Sequence, residues 1–400
     1  MPTMLLTLNA GSSSVKFALY GVASGTPVPQ AAGQVEGLGT APAFKVTVVD
    51  GETRRDPLET HLEASPHAAA VNAILDWIEA AMPEARVVAV GHRVVHGGPD
   101  FAAPMLIDDA SLAALRALVP LAPLHQPHNI AGIEAARAAF PGAPQVACFD
   151  TAFHRGHPLV ADTFALPRRY YDQGVRRYGF HGLSYEFVSQ QMRHVAPTEA
   201  AANVVIAHLG NGASMCAVRD GRSIASTMGF TALDGLPMGT RCGQIDPGVL
   251  LYLMQHDGMD AAALSDLLYN QSGLKGLSGV SSDMRELEAS DQPQAAEAIA
   301  YFVARIRREL AGLAADLGGL DAVVFTGGIG ENSARIRASV LDGMGWMGIA
   351  LDPQANAARG PLISTPDSAV RAFVIKTDEE AMIAQHTIRT VGLSAASHAA

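Results

Sequence analysis

The chain has 400 residues, 48% of them hydrophobic and 17% charged, with a formal net charge of −11 at pH 7. That length exceeds what one core supports, so two domains of near-equal size are expected, and the composition excludes a disordered chain. The acidic balance argues against a nucleic-acid or anionic-membrane surface, so any bound anion must be held by a few focused cations.

The N-terminus starts with a short strand, without a basic region or cleavage site, and no apolar run is long enough to span a bilayer. Cys148, Cys216 and Cys242 are too few and too scattered for a disulfide framework or a zinc site. A soluble cytoplasmic protein is expected. Leu5 to Leu8 reads as an apolar strand and Asn9 to Ser14 as a small polar turn; Val15, Phe17 and Leu19 then alternate with Lys16, Ala18 and Tyr20. Pro27 to Ala43 reads as loop, with Val46 and Val48 in a third strand. Ser65 and Pro66 open a helix whose Val71, Ile74, Leu75 and Ile78 share a face. Arg86 to Val90 is a buried strand leading into the glycine-bounded segment Gly91 to Gly98. After a proline-rich bend containing His125, Ile130 to Ala139 is helical, and Gln145 to Phe149 is a strand ending at Asp150. A first domain is expected over residues 1–150 plus a closing segment at 383–400, and a second over 151–382.

In the second domain, Ser184 is expected to cap an amphipathic helix after Gly179, Phe180, His181 and Gly182. Val204 to Ala207 is a β-branched apolar strand, His208 to Gly212 a flexible polar turn, and Met215, Ala217 and Val218 resume extended structure. This hairpin repeats the device at Asn9 to Ser14, which suggests a duplicated domain pair. Neither turn has Walker spacing; small residues let the backbone approach phosphate oxygens without a following helix. Ser226 to Gly248 is a long glycine-rich loop carrying Asp234, Arg241, Cys242 and Asp246, and a loop of that length in a compact domain is usually functional. Helices are expected near Asp260 to Gln271 and Ser282 to Glu288, then a long one stopping at Gly318-Gly319. Ala322 to Phe325 is a strand, Thr326 to Gly330 a glycine turn suited to a nucleotide, and Glu331, Asn332 and Ser333 open a helix. Arg371 to Ile375, a polar turn at Thr377 to Glu380 and a helix from Ala381 to Arg389 close the chain.

Strands running into glycine turns place candidate groups at sheet ends, where open α/β folds bind ligands, and a cleft between two such domains is expected. The loop cations are Lys16, Arg93, Arg241, Arg285, His125, His181 and His208. Asp150 and Glu379, each after a predicted strand, suit Mg²⁺, which binds through one or two carboxylates plus substrate phosphates.

Asn9 to Lys16, Gly91 to Gly98, Phe149 to His154, Tyr178 to Tyr185, His208 to Ser214, Ser226 to Pro247, Thr326 to Ser333 and Thr377 to Ile383 resemble, in order and spacing, the sequence blocks of the acetate kinase family. The resemblance implies an α/β fold of two duplicated domains of the actin, Hsp70 and sugar-kinase type, with a nucleotide cleft, and usually a homodimer. It implies transfer of the ATP γ-phosphoryl group to acetate, giving acetyl phosphate and ADP, with Mg²⁺, or alternatively Mn²⁺, as cofactor. It places Asn9, Asp150 and Glu379 around the metal. Arg93 and Arg241 would hold the carboxylate and the moving phosphoryl group, His181 would stabilise the transition state, and His125 and Asn211 would lie near the phosphates. Lys16, His208, Leu209, Gly210, Asn211, Gly212, Asp283, Met284, Arg285, Gly328, Ile329, Gly330, Glu331 and Asn332 would line the ATP site, and Val95, Leu124, Phe180 and Ala232 would enclose the methyl group.

The chemistry agrees: a carboxylate acceptor is already ionised at neutral pH and needs no general base, only positive charge around the transfer. Ala232 stands where the family usually has proline, so propionate or another short-chain acid is the alternative substrate. A rival of another class, an ATP-driven conformational machine, has no use for paired arginines.

Overall fold

The computed structural model describes residues 2–11, 14–23, 25–38, 41–49, 53–57, 66–123 and 125–393. The expected cap Ser65, the expected pocket residue Leu124, and Ser12 and Ser13 of the first turn lie outside the described residues. The chain forms two compact units, Met1–Ala152 with Asp378–Ala400, and Phe153–Thr377.

The first unit carries an eight-stranded sheet of β1 (Thr3–Ala10), β2 (Ser14–Gly21), β3 (Val28–Glu36), β4 (Ala43–Val48), β5 (Thr53–Pro57), β6 (Arg86–Val94), β7 (Met105–Leu106) and β8 (Gln145–Phe149), in the order β5-β4-β3-β2-β1-β6-β8-β7. The second carries β9 (Asn203–Leu209), β10 (Ala213–Arg219), β11 (Arg222–Ser226), β12 (Ala322–Thr326) and β13 (Arg371–Val374), in the order β11-β10-β9-β12-β13. The run β3-β2-β1-β6-β8 and the whole second sheet have one plan: two antiparallel pairings followed by two parallel ones. The fold is α/β with a duplicated sheet.

In the first unit, Leu6, Leu8, Phe17, Val35, Phe44 and Val90 bury one sheet face against Val71, Ile74, Trp77 and Ile78 of the helix Pro66–Ala81. The other face takes the closing helix, Glu379–Val391, through Leu5, Ala18, Ala89, Ala384 and Ile388. In the second unit, Val204, Ile206, Cys216, Val218 and Val324 pack with Tyr185, Val188 and Met192 of the helix Gly182–Val195. No described helix is long and apolar enough to cross a membrane.

Several local expectations are corrected. Residues 28–36 are a strand, not loop; its Ala31, Ala32 and Gly33 have weak strand propensity, but Gly33 is held between β2 and β4, where a Cβ would meet the Phe17 ring at 2.7 Å. The strand β6 continues through Gly91, His92 and Arg93 because β1 and β8 flank it, and Gly91 is required there: a Cβ would come within 2.3 Å of Thr387 Oγ1 in the closing helix. Ser184 is not a cap, since the helix begins at Gly182 after His181 in the left-handed region at φ 57°. The glycine turn after β12 is a short helix, Gly327–Asn332, and Ser333 caps the next one, Ala334–Asp342. Glu379 and Glu380 lie in the first turn of the closing helix, capped by Asp378, rather than in a free turn.

Candidate active site

In the first unit, three elements bring oxygen atoms to one guanidinium. Arg93 near the end of β6 donates through Nε to Asp150 Oδ1 at 3.0 Å and through Nη2 to Oδ2 at 2.5 Å, and through Nη1 to Asn9 Oδ1 at 3.3 Å. Glu379 Oε2 lies 3.8 Å from Arg93 Nε. Asp150 is only 1% exposed. Burial works against the charge on Arg93, but Asp150, Glu379 and Glu380 outweigh it and raise the guanidinium pKa. Burial, and next Glu379, raises the carboxyl pKa of Glu380, which Lys16 partly offsets. Two carboxylates and an amide oxygen around one positive charge form a hard-oxygen set that fits Mg²⁺ as well as it fits Arg93. Among the described residues no three His, Cys, Asp or Glu side chains form a ready-made metal cage.

Val95 follows the same strand and is buried; its N–H donates to Asn129 Oδ1 at 2.9 Å, and Asn129 Nδ2 donates to the Ala10 carbonyl at 2.7 Å. Asn129 thus ties Val95 to the end of β1. His125 occupies the N-cap position of the helix Gln126–Ala139. Lys16 lines a hollow of the first unit with Asp378 and Glu380.

In the second unit the turn Gly210-Asn211-Gly212 joins β9 to β10 and lies beside His181 and Arg241. A Cβ on Gly212 would sit 3.3 Å from His181 Nε2 and 3.4 Å from Arg241 Nη2. His181 Nδ1 is 2.8 Å from Ser214 Oγ, which is 2.5 Å from the Tyr185 hydroxyl. Burial keeps Tyr185 protonated, its pKa well above the usual value. Tyr185, Ser214 and His181 Nδ1 form one chain of hydrogen bonds, which leaves Nε2 of His181 facing the turn. Arg241 Nη1 donates to the Ala232 carbonyl at 2.7 Å, so residue 232 anchors Arg241 through its backbone. Phe180 is buried, and its carbonyl accepts from His154 Nε2 at 3.0 Å. Cys242 beside Arg241 is no reactive thiol: burial pushes its pKa up to about 11.

A cavity of about 800 Å³ opens beside the turn, lined by Gly210, Asn211, Asp283, Met284, Arg285, Gly328, Ile329 and Asn332 among others. Asp283 caps the helix Met284–Ala289 and pairs bidentately with Arg285, which lowers its pKa. Of the other residues expected here, Leu209 and Gly330 are buried and do not line the cavity. His208 lies behind the turn, with Nδ1 2.8 Å from Ser184 Oγ. The Glu331 carboxylate is taken up by the N–H groups of Gly327 at 3.0 Å and Thr377 at 3.1 Å.

Asn129, Ser184, Ser214 and Tyr185 were not expected as site residues. For Asn129 and Ser214 the sequence does carry a signal, a polar residue at a position whose neighbours bury it.

A family model described as "Acetokinase family" matches residues 4–385. An acetate kinase of Methylocella silvestris is 58% identical over 99% of this chain and 100% of its own. The crystal structure of Porphyromonas gingivalis acetate kinase covers 97% of this chain and 100% of its own, at 39% identity and a TM-score of 0.87. That of a propionate kinase from Francisella tularensis covers 97% and 99%, at 39% identity and a TM-score of 0.90.

Proposed function

This chain belongs to the acetokinase family, and from that premise we propose that it reversibly transfers the γ-phosphoryl group of ATP to acetate, giving acetyl phosphate and ADP. The observation that carries the reading is the convergence of His181 Nε2 and Arg241 Nη2 over the Gly212 backbone. Two fixed donors aimed at one point suit a phosphoryl group whose oxygens gain no proton during transfer. The acceptor carboxylate is already ionised, so no residue has to act as base.

The cavity beside Gly210 and Asn211 takes the nucleotide, with Gly328, Ile329 and Asn332 against it. Asn9, Asp150 and Glu379 would hold Mg²⁺, which when bound supplies charge neutralisation on the phosphates. Arg93 binds the acceptor carboxylate, and Val95, Phe180 and Ala232 set the acyl size. Ala232 is small, so propionate is the second substrate reading; a methylene in an apolar pocket is worth only about 1–3 kcal/mol.

The helix Pro247–His256 has no buried residue and exposes Val249, Leu251, Tyr252 and Met254. This exposed apolar helix is the proposed contact of a homodimer, and the proposed location is the cytoplasm. The activity is tested by adding acetyl phosphate, ADP and Mg²⁺ to purified enzyme and measuring ATP. ATP formed at a catalytic rate supports the reading, and none formed removes it.

A further inference from the structure

Arg337, on the helix Ala334–Asp342, is fully buried and is the largest such side chain in the described chain. Its partners are all neutral. Nη1 donates to the Gly330 carbonyl at 2.8 Å and the Glu331 carbonyl at 3.0 Å, Nε to Asn356 Oδ1 at 2.7 Å, and Nη2 to the Asn356 carbonyl at 2.7 Å. Asn356 is itself buried and returns a bond from Nδ2 to the Ala334 carbonyl at 2.9 Å. A buried cation ordinarily carries a carboxylate partner, because desolvating the charge costs several kcal/mol. Here burial, and next the charge of Arg359, pulls the guanidinium pKa down to about 10, which still leaves it protonated at neutral pH.

The carbonyls it gathers explain the arrangement. Gly330 and Glu331 end the short helix Gly327–Asn332, whose carbonyls lack partners within the helix. A six-residue helix of three glycines does not hold itself together, since glycine is costly in a helix and short helices are marginal. Its outer residues Gly328, Ile329 and Asn332 form one wall of the cavity. A planar fork can hold several carbonyls at once, which an ammonium group cannot do with the same rigidity.

We propose that Arg337, set by Asn356, is a positioning residue for the nucleotide: it fixes the helix Gly327–Asn332 in the form that ATP and ADP bind. It touches neither substrate. The inference rests on the reading of the cavity as the nucleotide site.

The test is calorimetric titration of ATP, with steady-state kinetics, on the wild type, Arg337→Met, Arg337→Lys and Asn356→Ala. Arg337→Met should weaken ATP binding and raise KM for ATP by about tenfold or more, with KM for acetate within about twofold. Arg337→Lys should fall between. Asn356→Ala keeps the backbone acceptor and should give a smaller loss, so it reports even when Arg337→Met does not fold. Unchanged ATP affinity in folded Arg337→Met or in Asn356→Ala overturns the proposal, as does equal loss of ATP and acetate affinity. Wild type that binds no ATP would instead overturn the reading of the cavity.

Discussion

His181 and His208 lie ring on ring, with centroids 4.3 Å apart and planes 18° from parallel, and each is oriented by a serine from the other's segment. His181 precedes the helix that carries Ser184, and Ser184 holds His208; His208 pairs with Ser214 across the hairpin, and Ser214 holds His181. Thr377 donates to Ser184 at 2.8 Å, which fixes the hydroxyl that bonds His208 Nδ1. The exchange ties the helix start to the hairpin that carries Gly210 to Gly212, so neither ring turns without the other element moving.

Replacing Ser214 by Ala removes the hydroxyl bonded to His181 Nδ1 and frees the ring. The expected result is a fall in kcat of about tenfold or more, about 1.4 kcal/mol, with both KM values little changed. Combining it with Tyr185→Phe should add little, since both act through one chain of bonds. A fully additive double variant would contradict the chain.

Two glycines near the turn report on separate functions. Gly212→Ala puts a methyl 3.3 Å from His181 Nε2 and 3.4 Å from Arg241 Nη2, so kcat should fall while Tm holds. Gly239→Ala puts one 1.9 Å from Asn211 Oδ1 and must displace that side chain, so KM for ATP should rise. Steady-state kinetics for both variants separate the effects, and a reversed pattern would sink the assignment.

On the proposed reading, Arg93 and Mg²⁺ would share the oxygens of Asn9, Asp150 and Glu379. Arg93→Ala leaves the Asp150 carboxylate buried without its cation, at a cost of about 3 kcal/mol when Mg²⁺ is absent. Adding Mg²⁺ should therefore raise the Tm of the variant more than that of the wild type. Equal shifts would remove Asp150 from the metal site.

Buried histidines set the acid limb of stability. Burial lowers the pKa of His92 to about 4, only partly offset by its bond to Gln145, and burial followed by the nearby Arg155 lowers His157 to about 4. Unfolded histidine titrates near 6.5, so between about pH 6.5 and 4 the unfolded chain binds more protons and stability falls as pH falls. Above that window these groups contribute a constant amount. Tm measured from pH 7 downward should drop before the carboxylates titrate, with a shallower slope for His157→Gln. A flat Tm between pH 6.5 and 5 would contradict this.

Much of the fold is legible where local pattern and tertiary pairing agree. The apolar runs Leu5 to Leu8 and Val204 to Ala207 are strands, Asp246 caps the helix Pro247–His256, and Gly318 stops the long helix Pro293–Leu317 at φ 72°. Pattern fails where a neighbour overrides propensity, as at Ala31 to Gly33 and Gly91, or where a residue with a side chain takes a left-handed backbone, as at His181. The cations are legible by residue type but not by place: Lys16, Arg93 and His208, expected in loops, lie in strands, and Arg285 lies in a helix, because neighbouring strands and the Asp283 cap extend the elements over them. Their partners are not legible, because Ser214 and His181, 33 residues apart, meet only through the packing of the helix against β10.

The most direct test of the account is trapping of acyl phosphate with hydroxylamine after incubation with ATP, Mg²⁺ and acetate, propionate or butyrate in parallel. The account predicts trapped product with acetate, at a kcat/KM about tenfold or more above that for propionate. No trapped product with any acid, while ATP is still hydrolysed, would contradict it.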